Sequence, residues 1–348
     1  METKNMASSG DTRKYNVAVV GATGAVGHEL LKVMAERNFP VGELRLLATE
    51  RSKGKQIDFQ GRSYTVEATV PESFENMDIV LFAGGAASTM FAHEAVSRGA
   101  VVIDNSSAFR YDPEVPLVVP EVNAEDIDWH KGIIANPNCS TIQMVVALKP
   151  LHDAAKIKRI VVSTYQAVSG AGREAILELE GQVKSLSAGE EPEVSVFPYQ
   201  IAFNLIPNID VFLDNDYTKE EMKMTWETQK MFHDDTIALS ATAVRVPVYR
   251  SHSEAINIET EKPLSADEAR AILKNAPGVI VIDEPQAKKY PMPLYLSDTD
   301  DVYVGRIRKD ISVKNGLVLW VVADQLRKGA ATNAVQIAEE VIKRNKLL

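Results

Sequence analysis

A chain of 348 residues exceeds the size at which one hydrophobic core stops growing, so two domains are expected. Hydrophobic residues at 45% and charged residues at 25% are ordinary for a globular protein, and a net charge of −10 argues against nucleic acid or an anionic membrane as the main partner. A single cysteine forbids an internal disulfide and fits a reducing cytoplasm, and no apolar run approaches the ~18 residues of a membrane span.

Residues 1–15 are polar, of mixed charge and without an apolar core, and read as a loose extension, not a signal peptide. A strand over 16–20 then runs into Gly21-Ala22-Thr23-Gly24-Ala25-Val26-Gly27 and a helix to about Arg37. The glycines let backbone approach a ligand, and the helix start offers N–H donors and a positive dipole end to a phosphate. Glycine spacing of three and three departs from the commoner pattern and by itself describes a tight turn equally well. The apolar strand before and the amphipathic helix after favour a dinucleotide site. A strand over 43–48 leads into Thr49-Glu50-Arg51-Ser52-Lys53. A carboxylate there suits the ribose of NAD, whereas cations and hydroxyls suit the 2′-phosphate of NADP. The cations outnumber Glu50, and Arg51 has a phosphate-matching fork with Thr49 and Ser52 beside it; a solvated basic loop is the plain alternative. Strands over 78–83 and 100–104 alternate with a helix, which means a parallel sheet with ligands at the carboxyl ends of its strands. Arg110 lies just past such an end, although a lone arginine is ordinarily a surface residue.

The stretch 132–151 holds the only cysteine. A short strand over 132–135, the turn Asn136-Pro137-Asn138 and an apolar helix from Thr141 put Cys139 at or just before a helix N-terminus. Free N–H groups and the helix dipole favour a thiolate there, and the same donors suit the oxyanion formed when it attacks a carbonyl. A small buried hydrophobe is the other reading.

Beyond it, a strand over 159–167, the turn Ser169-Gly170-Ala171-Gly172 and a helix over 173–186 are expected, then a polar stretch to 198 and a proline-containing surface arm or interface over 199–212. Thr218 and Glu221 form a capping box opening a helix to about Phe232, with Glu220 and Lys223 on one face. Such a pair is ordinarily a solvated salt bridge. Strands over 242–249 and 255–259, without a helix between them, suggest an antiparallel sheet whose broad face could bury against a partner subunit. A strand over 316–323 and an amphipathic helix over 332–346 close the chain. Of the six histidines, only His252 falls in a polar turn between two strands. Neither CxxC nor HExxH occurs, and no metal is expected.

The segments VAVVGATGAVG, LATERSKGK, VVIDNSSAFR, VPLVVPEVN, ANPNCSTIQM, VVSTYQAVSGAG, YTKEEMK, VRVPVYRSHSE, YVGRIRKD and WVVADQLRKGAATNAVQ resemble, in order and over essentially all of 16–348, those of the aspartate-β-semialdehyde dehydrogenase family. The resemblance implies NADP(H)-dependent reductive dephosphorylation of L-4-aspartyl phosphate to L-aspartate 4-semialdehyde, on the path to lysine, threonine and methionine. It implies an α/β fold, with a Rossmann-like dinucleotide-binding domain over 1–138 and 326–348. An α/β catalytic and dimerisation domain over 139–325 is implied beside it, with a largely antiparallel sheet. A cytoplasmic homodimer is implied, with a tetramer as the larger alternative and neither nucleic acid nor membrane as partner. In that likeness Cys139 is the nucleophile, Gln166 positions the intermediate and His252 is the acid/base. Arg245 clamps the substrate carboxylate and Glu220 meets its amino group, while Arg110, Lys223 and Asn138 hold phosphate. Ser169, Gly170 and Asn333 lie at the nicotinamide end. Residues 187–199 are short relative to some relatives, which leaves that arm's interface role open, and Glu50 leaves some room for NAD. Two rivals are N-acetyl-γ-glutamyl-phosphate reductase, which resembles a PGCYPT-type segment in place of PNCST, and a non-catalytic dinucleotide-sensing protein.

Overall fold

The structure is a computed structural model and describes residues 13–348. Residues 1–12 of the expected extension lie outside the described residues.

Strands β1 (Tyr15–Val20) and β2 (Val41–Ala48) are followed by a hairpin, β3 (Gln56–Phe59) and β4 (Arg62–Thr65), and by β5 (Glu67–Ala68), β6 (Ile79–Phe82), β7 (Val101–Asp104) and β8 (Ile133–Ala135). The hairpin stands apart; the others form a parallel sheet in the order β5-β2-β1-β6-β7-β8. Its central strands are near-continuous apolar runs because both faces are covered. One face packs against α1 (Ala25–Glu36) and the other against α2 (Ala86–Ser97). Short α3 (Pro120–Asn123) leads to β8, and α4 (Cys139–Ala155) leaves the carboxyl end of β8.

A second sheet holds β9 (Ile157–Gln166), β10 (Ala238–Arg245), β11 (His252–Thr260), β12 (Val279–Val281), β13 (Val302–Lys309) and β14 (Gly316–Ala323), in the order β10-β9-β11-β14-β13-β12. Between β9 and β10 run α5 (Arg173–Ala188) and α6 (Lys219–Phe232), the latter opened by the expected Thr218–Glu221 capping box. After β11 come α7 (Ala266–Lys274) and short α8 (Pro293–Leu296), and α9 (Thr332–Lys343) ends the chain. Helix α9 returns to the first sheet, burying Ala334, Val335, Ile337, Ala338 and Val341 in the core shared with β1 and α1.

The sheet corrects the sequence reading in two places. The strand expected over 242–249 ends at Arg245 and does not pair with the strand expected over 255–259; it lies parallel to β9, while β11 pairs antiparallel on the other side of β9. A crossover through α6 brings the chain back to the same edge in the same direction, which is how parallel neighbours arise. His252 is the first residue of β11, not a turn residue, and is buried. The three central pairings are antiparallel and the two outer ones parallel. Strands β12 and β13 and helix α7, opened by a Ser265–Glu268 capping box, were not anticipated.

Candidate active site

At the carboxyl end of β1, Gly21 takes φ +84°, and a Cβ on Gly27 would stand 2.3 Å from the Gly21 carbonyl oxygen. Glycine at both positions lets α1 seat directly on the turn and point its first N–H groups outward. Gly21, Thr23, Gly24, Ala25, Val26 and Gly27 line a cavity of about 560 Å³, together with Thr49, Arg51, Ser52, Ser169 and Gly170. Thr23 Oγ1 donates to Ser52 Oγ at 3.3 Å, drawing two hydroxyls together beside Arg51. Among the described residues Arg51 has no hydrogen-bond or ion-pair partner, whereas Glu50 accepts from Lys53 Nζ at 3.1 Å. A free guanidinium with two hydroxyls, and a carboxylate engaged elsewhere, fits the 2′-phosphate of NADP better than the bare ribose of NAD.

Asn333 is placed differently from the expectation. It is wholly buried and absent from the cavity wall; its amide donates to Asn136 Oδ1 (2.6 Å) and the Val118 carbonyl (3.0 Å), and its oxygen accepts from Lys328 Nζ (3.0 Å). Asn136, which it holds, does line the cavity.

A second cavity, of about 350 Å³, is bounded by Arg110, Asn138, Cys139, Gln166, Gly170, Glu220, Lys223, Arg245 and His252. Arg110, Asn138, Cys139 and Gly170 belong to both walls. The sheet register explains the convergence. Arg245 pairs with Gln166, and the Ser253–Tyr165 pairing sets His252 opposite Gln166, so three side chains from three strands form one row on the face that packs against α4. Cys139, the first residue of α4, and Glu220 and Lys223, in the first turn of α6, meet that row.

Asn138 caps α4: its Oδ1 accepts from the N–H groups of Ser140 (3.0 Å) and Thr141 (3.4 Å), while its Nδ2 donates to Glu220 Oε1 (3.0 Å). Gln166 also donates to Glu220 Oε1 (3.2 Å), and Lys223 Nζ to Oε2 (2.8 Å); Lys223 reaches Asp210 as well, at 2.8 Å. Burial works to raise the Glu220 carboxyl, but Lys223, Asn138 and Gln166 outweigh it and hold it below its usual value. The expected solvated pair is therefore a largely buried one inside the site.

The thiol differs from expectation. Burial, with Glu220 adding to it and Arg110, Lys223 and Arg245 opposing, pushes Cys139 up to about 12. The N–H groups thought free to favour a thiolate are those of Ser140 and Thr141, and the Asn138 side chain already occupies them. On the other side Gly329 leaves just enough room, since a Cβ there would lie 2.9 Å from that of Cys139. Gly329 belongs to a π-helical turn, Arg327–Ala331, a distortion common at functional sites.

Glu227 escaped the sequence reading. It is fully buried; Oε1 accepts from Arg110 Nη1 (3.1 Å) and Oε2 from the Asn138 N–H (2.7 Å), so one carboxylate fixes both a cation of the cavity and the residue preceding the cysteine. Burial raises its carboxyl, against the lowering influence of Arg110. Lys230, one turn on, donates to the carbonyls of Arg110 (2.9 Å), Asp112 (2.7 Å) and Val115 (2.8 Å) and so anchors the loop carrying Arg110. Glu220, Lys223, Glu227 and Lys230 are spaced three, four and three, a single helix face; that spacing was the available signal. Ser107, Ile209 and Asp210 also line the cavity without having been singled out.

Two buried nitrogens facing this region have no partner, Arg110 Nε and His252 Nε2. Buried polar atoms in proteins are nearly always bonded, so an orphaned pair beside a cavity points to oxygens of a ligand. The Ala167 peptide orients both neighbours: its N–H donates to His252 Nδ1 (3.1 Å) and its carbonyl accepts from Arg245 Nη1 (2.7 Å). Among the described residues no group of three or more His, Cys, Asp or Glu is placed to hold a metal ion.

A dinucleotide-sized cavity and a charge-lined cavity that share a cysteine suit a nucleotide-dependent dehydrogenase acting on a small, multiply charged carbonyl compound. Comparison with known proteins agrees. The profile described as semialdehyde dehydrogenase, NAD binding domain, matches residues 16–130, and that described as semialdehyde dehydrogenase, dimerisation domain, matches residues 148–328. The chain belongs to the semialdehyde dehydrogenase family. It is 62% identical to the aspartate-semialdehyde dehydrogenase of Aquifex aeolicus, over 94% of this chain and 98% of that one. Among solved structures, aspartate semialdehyde dehydrogenase II of Vibrio cholerae complexed with ASA superposes with a TM-score of 0.93 at 51% identity, over 95% of this chain and 99% of that one. The Candida albicans aspartate semialdehyde dehydrogenase with NADP superposes with a TM-score of 0.77 at 25% identity, covering 96% and 99%. None of these proteins bears the name of either rival raised from the sequence.

Proposed function

We propose that Cys139 is the nucleophile in the reaction of an aspartate-semialdehyde dehydrogenase, with the row Arg245-Gln166-His252 and the α6 charges holding the substrate around it. The activity is NADP-dependent reductive dephosphorylation of L-4-aspartyl phosphate to L-aspartate 4-semialdehyde. The observation that carries the site assignment is that Cys139 stands on the wall common to both cavities. A carbon bonded to its sulfur is reachable from the nucleotide side and gripped from the other.

The substrate's charges match the lining. Arg245 offers the rest of its guanidinium to the α-carboxylate, and Glu220 meets the ammonium while keeping Lys223. Arg110, with its orphaned Nε, Lys223 and Asn138 receive the phosphate. Sulfur adds to the acyl carbon, phosphate departs, and a thioester remains on Cys139. Held by the Gly21–Gly27 turn, Thr49, Arg51, Ser52, Ser169 and Gly170, NADPH supplies the hydride that takes the thioester to the aldehyde level. Gly170 keeps the region between Arg245 and His252 open, since a Cβ there would lie 3.0 Å from Arg245 Nη1 and 3.2 Å from His252 Cε1.

The same reading assigns residues 1–138 and 326–348 to nucleotide binding and 139–325 to catalysis and dimerisation, supported by the return of α9 to the first sheet. It makes the protein a cytoplasmic homodimer joined through the second sheet. On the face turned away from α4, Val161, Ser163, Tyr165, Ala255, Asn257 and Val318 are left half-buried. No helix among the described residues is long and apolar enough to cross a membrane. The deciding assay is phosphate-dependent reduction of NADP⁺ with aspartate semialdehyde, run beside N-acetylglutamate semialdehyde, which has no ammonium for Glu220. Fast turnover of the first and slow turnover of the second is expected; the reverse, or no dependence on phosphate, overturns the assignment.

A further inference from the structure

Residue His252, in its likeness to the family, is the acid/base. The geometry around it points elsewhere, and the reading that follows rests on the function proposed above. Nδ1 receives the Ala167 N–H at 3.1 Å, so that nitrogen must present a lone pair. A neutral imidazole carries one proton, which is then on Nε2. Nε2 is the buried atom without a partner, and the ring stands on the wall of the substrate cavity. It is therefore a donor without an acceptor.

We propose that His252 acts throughout the reaction as a neutral hydrogen-bond donor, its Nε2–H aimed at the acyl oxygen of the substrate, and that it neither takes the thiol proton nor becomes imidazolium. Protonating it would place an N–H on Nδ1 against the Ala167 N–H, two donors facing each other. Surrounding groups oppose a second positive charge too. Arg245 from β10, Arg110 from the loop after β7 and Lys223 from α6 are cations, Cys139 from α4 is neutral, and Glu254 lies two residues along its own strand; Glu220 is the one carboxylate favouring protonation. Burial first, then Arg245, lowers His252 to about 3.

The proton balance closes without a histidine base. As the S–C bond forms and the C–O bond to phosphate breaks, the Cys139 proton leaves on the phosphate dianion, which departs as hydrogen phosphate. This suits a thiol that rests protonated. Hydride reduction of the thioester puts negative charge on the same acyl oxygen; collapse of that adduct expels the sulfur, which takes one proton from solvent. In both halves charge develops on one oxygen, and the uncapped N–H of Cys139, at the first position of α4, and Nε2–H of His252 are the donors available to it.

The test is the ¹⁵N spectrum of histidine-labelled protein from pH 5 to pH 8, with the His252 signals identified by their loss in His252→Gln or, should that variant not fold, by through-bond correlation to Ser251 and Ser253. A protonated Nε2 and an unprotonated Nδ1, unchanged across that range, are expected. The Nδ1–H tautomer, or conversion to imidazolium with a midpoint in that range, overturns the proposal. Kinetically, His252→Ala should lose about 10²–10³-fold in kcat. His252→Gln, which keeps an N–H donor, should recover part of it with the pH profile of the wild type. An acidic limb present in the wild type and gone in His252→Gln would also overturn it. The spectrum reads the tautomer without turnover, so a failed substrate assignment and a failed histidine assignment give different results.

Discussion

The two cavities that meet at Cys139 are built on opposite plans. The nucleotide side is mostly backbone: a glycine turn, helix N–H groups and, at its rim, an unpartnered Arg51 with two hydroxyls. The substrate side is made of side chains drawn from five segments, and its charges are already paired, Glu220 with Lys223 and Arg110 with Glu227. Buried charges require partners before a ligand arrives, because leaving one alone costs several kcal/mol. A rim cation in water does not. Changes on the substrate side should therefore disturb both chemistry and local structure, whereas changes on the nucleotide side should weaken one contact and leave the rest intact.

The strongest challenge to that contrast is the shared wall. Cys139→Ala should abolish turnover while NADP⁺ binding, followed by fluorescence quenching, stays near the wild-type value. In the substrate-free wild type the thiol at about 12 should also make alkylation by iodoacetamide slow at neutral pH and still rising past pH 9. A rate that levels off near pH 8 contradicts the raised thiol.

Next is the substrate clamp. Truncating one member of a hydrogen-bonded buried charge set typically costs about 2–5 kcal/mol, so Arg245→Leu should lower kcat/KM by roughly thirty- to several-thousandfold. It also removes the bond to the Ala167 carbonyl that helps seat His252. Steady-state kinetics with aspartate semialdehyde read this, and unchanged values would dissolve the clamp.

On the nucleotide side the expected loss is smaller and selective. Arg51→Ala removes a charge-assisted bond worth about 1.5–3 kcal/mol, roughly ten- to more than a hundredfold in NADP⁺ affinity, and should leave NAD⁺ unaffected. Equal weakening of both cofactors would place the 2′-phosphate elsewhere.

The smallest effect is on stability, directly beneath the catalytic row. Glu254 pairs with Thr164 across β11 and β9, one row below His252 and Gln166, and is wholly buried. Burial raises its carboxyl well above the ordinary 4.5, with only Gln143 opposing. A folded value above the unfolded one gives stabilisation that is complete below 4.5 and is lost as pH rises toward the folded value. Glu254→Gln carries no such penalty, so its melting temperature should exceed that of the wild type by more at pH 8 than at pH 5. A gap that shrinks over that interval would mean the carboxyl is ionised in the folded chain.

Much of this was legible before the fold was known. The glycine turn, the basic loop after β2 and the capping box at Thr218 are local signals, in which a few neighbouring residues set backbone angles and donor directions, and each stands where it was expected. Glu227 was equally within reach, since its spacing from Glu220 fixes the helix face, but nothing in that spacing says the face is buried. His252 was singled out for lying in a turn and turned out to open a strand. Asn333 stood beside the correct cavity, yet with its amide given to Asn136 and Val118.

What the sequence by itself determined is therefore which residues carry chemistry, and the local frames holding them: a cysteine at a helix start, glycines under a nucleotide, cations after a strand. Only the tertiary structure decided their protonation and their company. The parallel pairing of β10 with β9 brings Arg245 beside Gln166, the antiparallel pairing of β11 brings His252 to the same row, and the Asn138 cap leaves the thiol protonated. These depend on strand order, register and burial, which arise from contacts between segments far apart in the chain, and the free energy of a charge is set by just those distant neighbours and by the water they exclude.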